Sequence, residues 1–187
     1  RCDDDRVDVA FTKLPRGRRT HSVVRRADGV RWSVDGGVAG PGLPHDLVHL
    51  VVERAIGEQC GFWGSVAAGA VFRSMTHLEG RRPPHGGEKS AVLLRERRGG
   101  LQAAELLANL VEHVVEQRLT SAEQVRAAAT THLRPEQRAD VDPARVLEAA
   151  EALRDMESRW ADLAEGEELT VTWPVPARRP RGRRRHI

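Results

Sequence analysis

The chain has 187 residues, 40% hydrophobic and 30% charged, a balance ordinary for a soluble globular protein and sufficient for one domain with its own core. Cys2 and Cys60 are its only cysteines, which excludes a disulfide framework and a thiolate zinc site and makes a reducing compartment, the cytoplasm, the expected location. No run approaches the roughly 20 apolar residues of a membrane span, and the net charge of +3 comes from the end of the chain, since removing the six arginines of "ARRPRGRRRHI" leaves 24 basic against 27 acidic residues.

In chain order, "VDVAFTKL" alternates like a strand, and "HSVVRRADGVRWSVD" reads as two strands turning at Asp28-Gly29, a strong hairpin signal. After the Gly/Pro loop "GGVAGPG" the pattern changes to a helix over residues 44–56, with Pro44 in its first turn and Gly57 closing it. A second apolar helix is predicted over 62–75, where small residues such as Gly61, Gly64 and Ala67 permit close helix approach. The Pro-, Gly- and charge-rich "LEGRRPPHGGEKS" predicts an exposed loop over about 78–90. "AVLLRER" is too short to assign, whereas 101–119 has clear helical periodicity. Thr120 to Glu123 reads as a capping box, Asp142-Pro143 as the start of a long helix ending near Gly166, and "ELTVTWPVP" as a last strand whose Pro174 marks an edge or an end. The expectation is an α+β fold: a small antiparallel sheet, made of the N-terminal hairpin and the C-terminal strand, packed on four or five helices over residues 1–176. Residues 177–187 are expected to be a basic, disordered tail that could touch an anionic partner.

The segment "GLPHDLVHLVVERAIG" carries the chemistry. At about 100° per residue, His49, Glu53 and Asp46 fall about 40°, 80° and 100° from His45, so the four share one narrow stripe on an otherwise apolar helix. Such a stripe must face a cleft or other polar groups. Imidazoles at i and i+4 sit on adjacent turns, the spacing at which a helix grips one divalent ion, and Glu53 is a candidate third or outer ligand. The bland alternative is that Asp46 serves the helix dipole while His49 and Glu53 pair with each other or with arginines. Within the same chain, Glu105, Asn109, Glu112 and Glu116 form the wet face of the 101–119 helix and look like ordinary solvated positions, with His113 at the face's edge. Trp63 could line a pocket beside the stripe, although core packing suits it as well. Cys60 has no activating partner in sequence and reads as a buried thiol.

"LPHDLVHLVVE" followed by "GFWGSVAAGA" resembles a segment of uncharacterised proteins from high-GC bacteria, a likeness that implies no activity. "HDLVH" is similar to the His-Glu-x-x-His signature of zincin metallopeptidases. That resemblance implies zinc held by His45 and His49, and a peptidase chemistry in which the residue after the first histidine activates the attacking water. Here that residue is Asp46, one methylene shorter than the family's glutamate. The family's third ligand is unassigned, with Glu53, His77, Glu112 and His113 as candidates. The expected function is therefore a metal-dependent hydrolase, peptidase-like, acting on a peptide or small molecule, with the 78–90 loop and Trp63 contributing specificity. The alternative is a non-catalytic interaction or regulatory protein in which the stripe is a buried polar network.

Overall fold

A computed structural model of the chain describes residues 6–175. The expected tail at 177–187 lies outside the described residues. Five strands, β1 (Arg6–Thr12), β2 (Arg19–Arg25), β3 (Arg31–Val38), β4 (Met75–Glu79) and β5 (Glu168–Pro174), form one antiparallel sheet in the order β4-β3-β2-β1-β5. Period-two alternation turns Val7, Val9 and Phe11 of β1, Trp32 and Val34 of β3, and Leu169, Val171 and Trp173 of β5 to one buried face. The opposite face is wet. There Asp8 pairs with Arg25 at 2.9 Å and accepts the Thr172 hydroxyl at 2.9 Å, tying three adjacent strands. The β2–β3 hairpin turns where predicted, with Gly29 N–H donating to the Arg26 carbonyl at 2.9 Å and Val30 N–H donating to the Asp28 carboxylate at 3.1 Å. Pro174 pairs with Arg6 at the very end of β5, which is an edge strand.

The helices are α1 (His45–Ile56), α2 (Phe62–Ala67), α3 (Gly86–Glu96), α4 (Arg98–Glu116), α5 (Ala122–His132), α6 (Pro135–Arg138) and α7 (Pro143–Asp162). The fold is α+β, as expected, with seven helices among the described residues because two are very short. Helix α1 is central: Leu47, Leu50, Val51 and Val52 are buried, and it packs on β3 and β5 as well as on α2, α4 and α7. It ends at Gly57, whose φ of 81° lets its N–H close back on the Glu53 carbonyl at 2.9 Å. Exposed Arg54, its one residue on the far side, reaches the Thr172 carbonyl of β5 at 3.3 Å.

Four expectations are corrected. The second helix does not run over 62–75: α2 stops at Ala67, Gly69 takes a φ of 105°, and Met75 opens β4, which pairs Val34 with Met75 and Trp32 with His77. The 78–90 segment is exposed over nearly its whole length but is a loop only over 80–85, since β4 runs to Glu79 and α3 begins at Gly86. Cys60 is exposed, in the short connection between α1 and α2, rather than buried. The capping box of α5 sits one residue later than predicted, with Ser121 accepting from Gln124 N–H at 3.2 Å and the Gln124 amide oxygen accepting from Ser121 N–H at 3.1 Å.

Asp142 caps α7 as predicted, accepting from Ala144 N–H at 3.0 Å. The other end of α7 is held by Lys13, which follows β1. Its ammonium donates to the carbonyls of Trp160 (2.8 Å), Ala161 (3.1 Å) and Leu163 (2.6 Å). A cation satisfying the last carbonyls of a helix also complements its dipole. Replacing Lys13 by methionine, which keeps the aliphatic stem, is expected to cost about 1–2 kcal/mol, lowering the melting temperature by roughly 2–8 °C. An unchanged thermal transition would show that water replaces the ammonium without loss.

Candidate metal centre

His45 and His49 stand one turn apart at the start of α1, and helical geometry brings their rings together edge to face with centroids 4.6 Å apart. Their Nε2 atoms are 3.2 Å apart. The third corner comes from α4, which packs on α1: Glu105 Oε2 lies 3.0 Å from His49 Nε2 and 3.7 Å from His45 Nε2. Zinc bonds of about 2.0–2.1 Å at tetrahedral angles set ligand atoms about 3.3–3.4 Å apart, and the three edges of this triangle bracket that length. Among the described residues, this is the one group of three or more His, Cys, Asp or Glu whose ligand atoms converge in this way. The side chains of His45 and Glu105 are 55% and 51% exposed while that of His49 is 8% exposed, so the triangle opens to solvent on one side. A site of this kind leaves a coordination position free.

Of the stripe predicted from sequence, the two histidines meet at this triangle, whereas the Glu53 side chain is directed elsewhere. Its carboxylate is buried and turned toward the start of α2, where it accepts the N–H groups of Phe62 (2.8 Å), Trp63 (3.0 Å) and Gly64 (3.4 Å). It takes no corner of the triangle. Its Oε1 comes within 3.4 Å of His49 Nδ1, the ring nitrogen facing away from Glu105. Burial pulls the His49 imidazole pKa down, but the nearby Glu53 and Glu105 carboxylates outweigh it and the value is raised.

Asp46 is half-buried at the edge of the same site, and its backbone carbonyl accepts the Trp63 indole N–H at 2.7 Å. Burial lifts its carboxyl above the ordinary carboxylate value against the opposing pull of His45 and His49. Together His45, Asp46, His49 and Glu105 line a cleft of about 270 Å³ whose apolar wall is Phe62, Phe72 and Leu101. Larger clefts exist, one of about 410 Å³ between α4 and the start of α7, but the convergent ligand atoms are in this one.

Compared with protein families, with curated proteins and with solved structures, the chain matches none. Its chemistry is accordingly read from the geometry.

Trp63, expected to line the pocket, is 0% exposed and packs edge-on against Phe11 and Phe62, so it cannot meet a substrate. Phe62 and Phe72, stacked 4.5 Å apart, take the place assigned to it. The 78–90 segment contributes no residue to this cleft's lining. Of the other third-ligand candidates, the two histidines are engaged elsewhere, and Glu112 is not in the converging group. His77 Nε2–H donates to the Gly80 carbonyl (2.9 Å) and the ring packs on Trp32, and His113 stacks on His132 with centroids 4.5 Å apart. Glu112, two turns beyond Glu105 on α4, is raised in pKa by burial, with Glu116 and Glu105 adding to it and His45 and His49 opposing. Glu105 itself carries no local signal. On α4 it is one more carboxylate of a polar face, and only the packing of α4 on α1 distinguishes it. Among the described residues, no helix is long and apolar enough to cross a membrane.

Proposed function

We propose that the chain is a divalent-metal-dependent hydrolase, with His45, His49 and Glu105 as ligands and Asp46 as the general base. The observation that carries the reading is the convergence of three ligand atoms at edges of 3.0–3.7 Å on the open side of a cleft. The residues fit such an ion: two imidazoles and one carboxylate are a catalytic zinc ligand set. When bound, the ion would acidify a water and polarise a carbonyl. Asp46 would take the proton of the attacking water, and its raised pKa makes it a better acceptor near neutral pH than a solvated aspartate. Phe62, Phe72 and Leu101 exclude water and hold the apolar part of the substrate. The likeness of "HDLVH" to the zincin signature makes a peptide bond the first substrate to try.

The second reading, a non-catalytic interaction protein, is favoured by one fact: the same His49 contacts at 3.2 Å and 3.0 Å also serve as hydrogen bonds without an ion. Metal analysis separates the two. The purified protein should hold zinc or another divalent metal near one per chain. His49→Ala and Glu105→Ala should each lose it, because two remaining groups are too few to retain the ion. A chain that binds no metal and is indifferent to chelators would leave the polar network as the better account. Full metal content in Glu105→Ala would remove the third ligand assigned here.

A further inference from the structure

We infer that Glu53 is a positioning residue for His49, setting which ring nitrogen is free for the metal; this rests on the metal-centre reading above. A carboxylate offers about four lone-pair sites. On Oε2 both are taken, by the N–H groups of Trp63 and Gly64, and on Oε1 one is taken by Phe62 N–H. The remaining site is on Oε1, the atom 3.4 Å from His49 Nδ1. Nδ1 is buried and has no hydrogen-bond partner within ordinary geometry, so this carboxylate oxygen is what it faces.

An ionised carboxylate can only accept, so the arrangement stabilises the proton on Nδ1. A neutral imidazole has one ring proton, and without an ion Glu105, 3.0 Å from Nε2, competes with Glu53 for it; an ion held by Nε2 and Glu105 would remove that competition and leave the proton on Nδ1, facing Glu53. Outer carboxylates that fix a histidine's tautomer in this way strengthen metal binding. The connection between α1 and α2 is built around the same group. A Cβ at Gly61 would stand 2.3 Å from Glu53 Cδ, so only glycine there leaves the carboxylate in place. The three N–H donors thus anchor a buried acid on one helix so that it orients a histidine one turn back on the same helix.

Glu53→Gln keeps the shape and replaces one acceptor by a donor. An amide N–H₂ facing Nδ1 favours the opposite tautomer, with the proton on Nε2. Because Glu105 competes for the proton in the metal-free site, the ring tautomer is read by long-range proton–nitrogen NMR in the Glu105→Ala chain with and without Glu53→Gln, metal-free and in alkaline buffer where the ring is neutral, and the full chain and Glu53→Gln are compared by zinc titration. The expected result is a proton on Nδ1 in Glu105→Ala, on Nε2 once Glu53→Gln is added, and a 10–100-fold loss of zinc affinity in Glu53→Gln. A role confined to capping α2 would lower the melting temperature and leave tautomer and affinity unchanged, which overturns the inference. Reversal of the tautomer in a chain whose parent binds no zinc would sink the metal centre and keep the positioning role. Should the Glu53→Gln chains not fold, the Glu105→Ala spectrum decides alone, and a proton on Nε2 there overturns the inference.

Discussion

Val51→Asp should unfold the protein, with no cooperative transition in a thermal melt followed by circular dichroism. Val51 is 1% exposed on α1, which packs against the sheet and also against α4 and α7. Removing a buried valine forfeits roughly 1.5–3 kcal/mol of apolar burial. Enclosing a carboxylate with no partner costs several kcal/mol more. Against a total stability of about 5–15 kcal/mol, the sum leaves little or nothing. The neighbouring exposed Arg54 gives the contrast on the same helix, since Arg54→Ala loses one contact with the Thr172 carbonyl and should cost no more than about 1 kcal/mol. A melting temperature for Val51→Asp equal to the parent's would show that α1 is not central.

Asp46→Asn should keep the metal and lose hydrolysis by about 10²–10⁴-fold, the usual contribution of a general base. Asp46 supplies no corner of the His45–His49–Glu105 triangle, so removing its charge leaves the proposed ligand set complete. Its burial places it beside the site with a raised pKa, and the amide of asparagine cannot accept a proton at neutral pH. Metal content and cleavage of a peptide library by the same preparation are the two measurements needed. Loss of metal in Asp46→Asn would make Asp46 a ligand, and full activity would remove it from the chemistry. Asp46→Glu adds the methylene that the zincin signature has at this position. Faster cleavage in that variant would show that the reach of the native carboxylate limits the reaction.

Much of the fold follows from local pattern. The hairpin is readable because Asp28-Gly29 interrupts two alternating runs, and α7 because Asp142 and Pro143 satisfy and omit N–H groups that a helix start leaves unpaired. The failures lie where local pattern is ambiguous. Residues 62–75 are apolar enough to read as one helix, yet Gly69 adopts a positive φ and the chain turns to pair Met75 with Val34, a partner from another element. Residues 78–90 are rich in Pro, Gly and charge, which announces exposure correctly. It does not announce that the four exposed residues of β4 and the first turn of α3 flank a loop of only six residues, 80–85.

At the site the division is sharper. His45 and His49 come together because any α-helix places i and i+4 on adjacent turns, so the sequence by itself determined that two imidazoles share one edge of α1. Nothing local could choose among the carboxylates. Glu53 lies on the same stripe and is drawn away because the α2 N–H groups fall within its reach. Glu105, 56 residues beyond His49, completes the triangle because α4 packs against α1 with that turn facing the cleft. Trp63 is sealed in the core by the same packing that leaves Phe62 and Phe72 along the opening. The 3.6-residue period governs neighbours on one helix, whereas the meeting of α1, α2 and α4 is set by how the whole apolar core closes, and only the tertiary structure decided it.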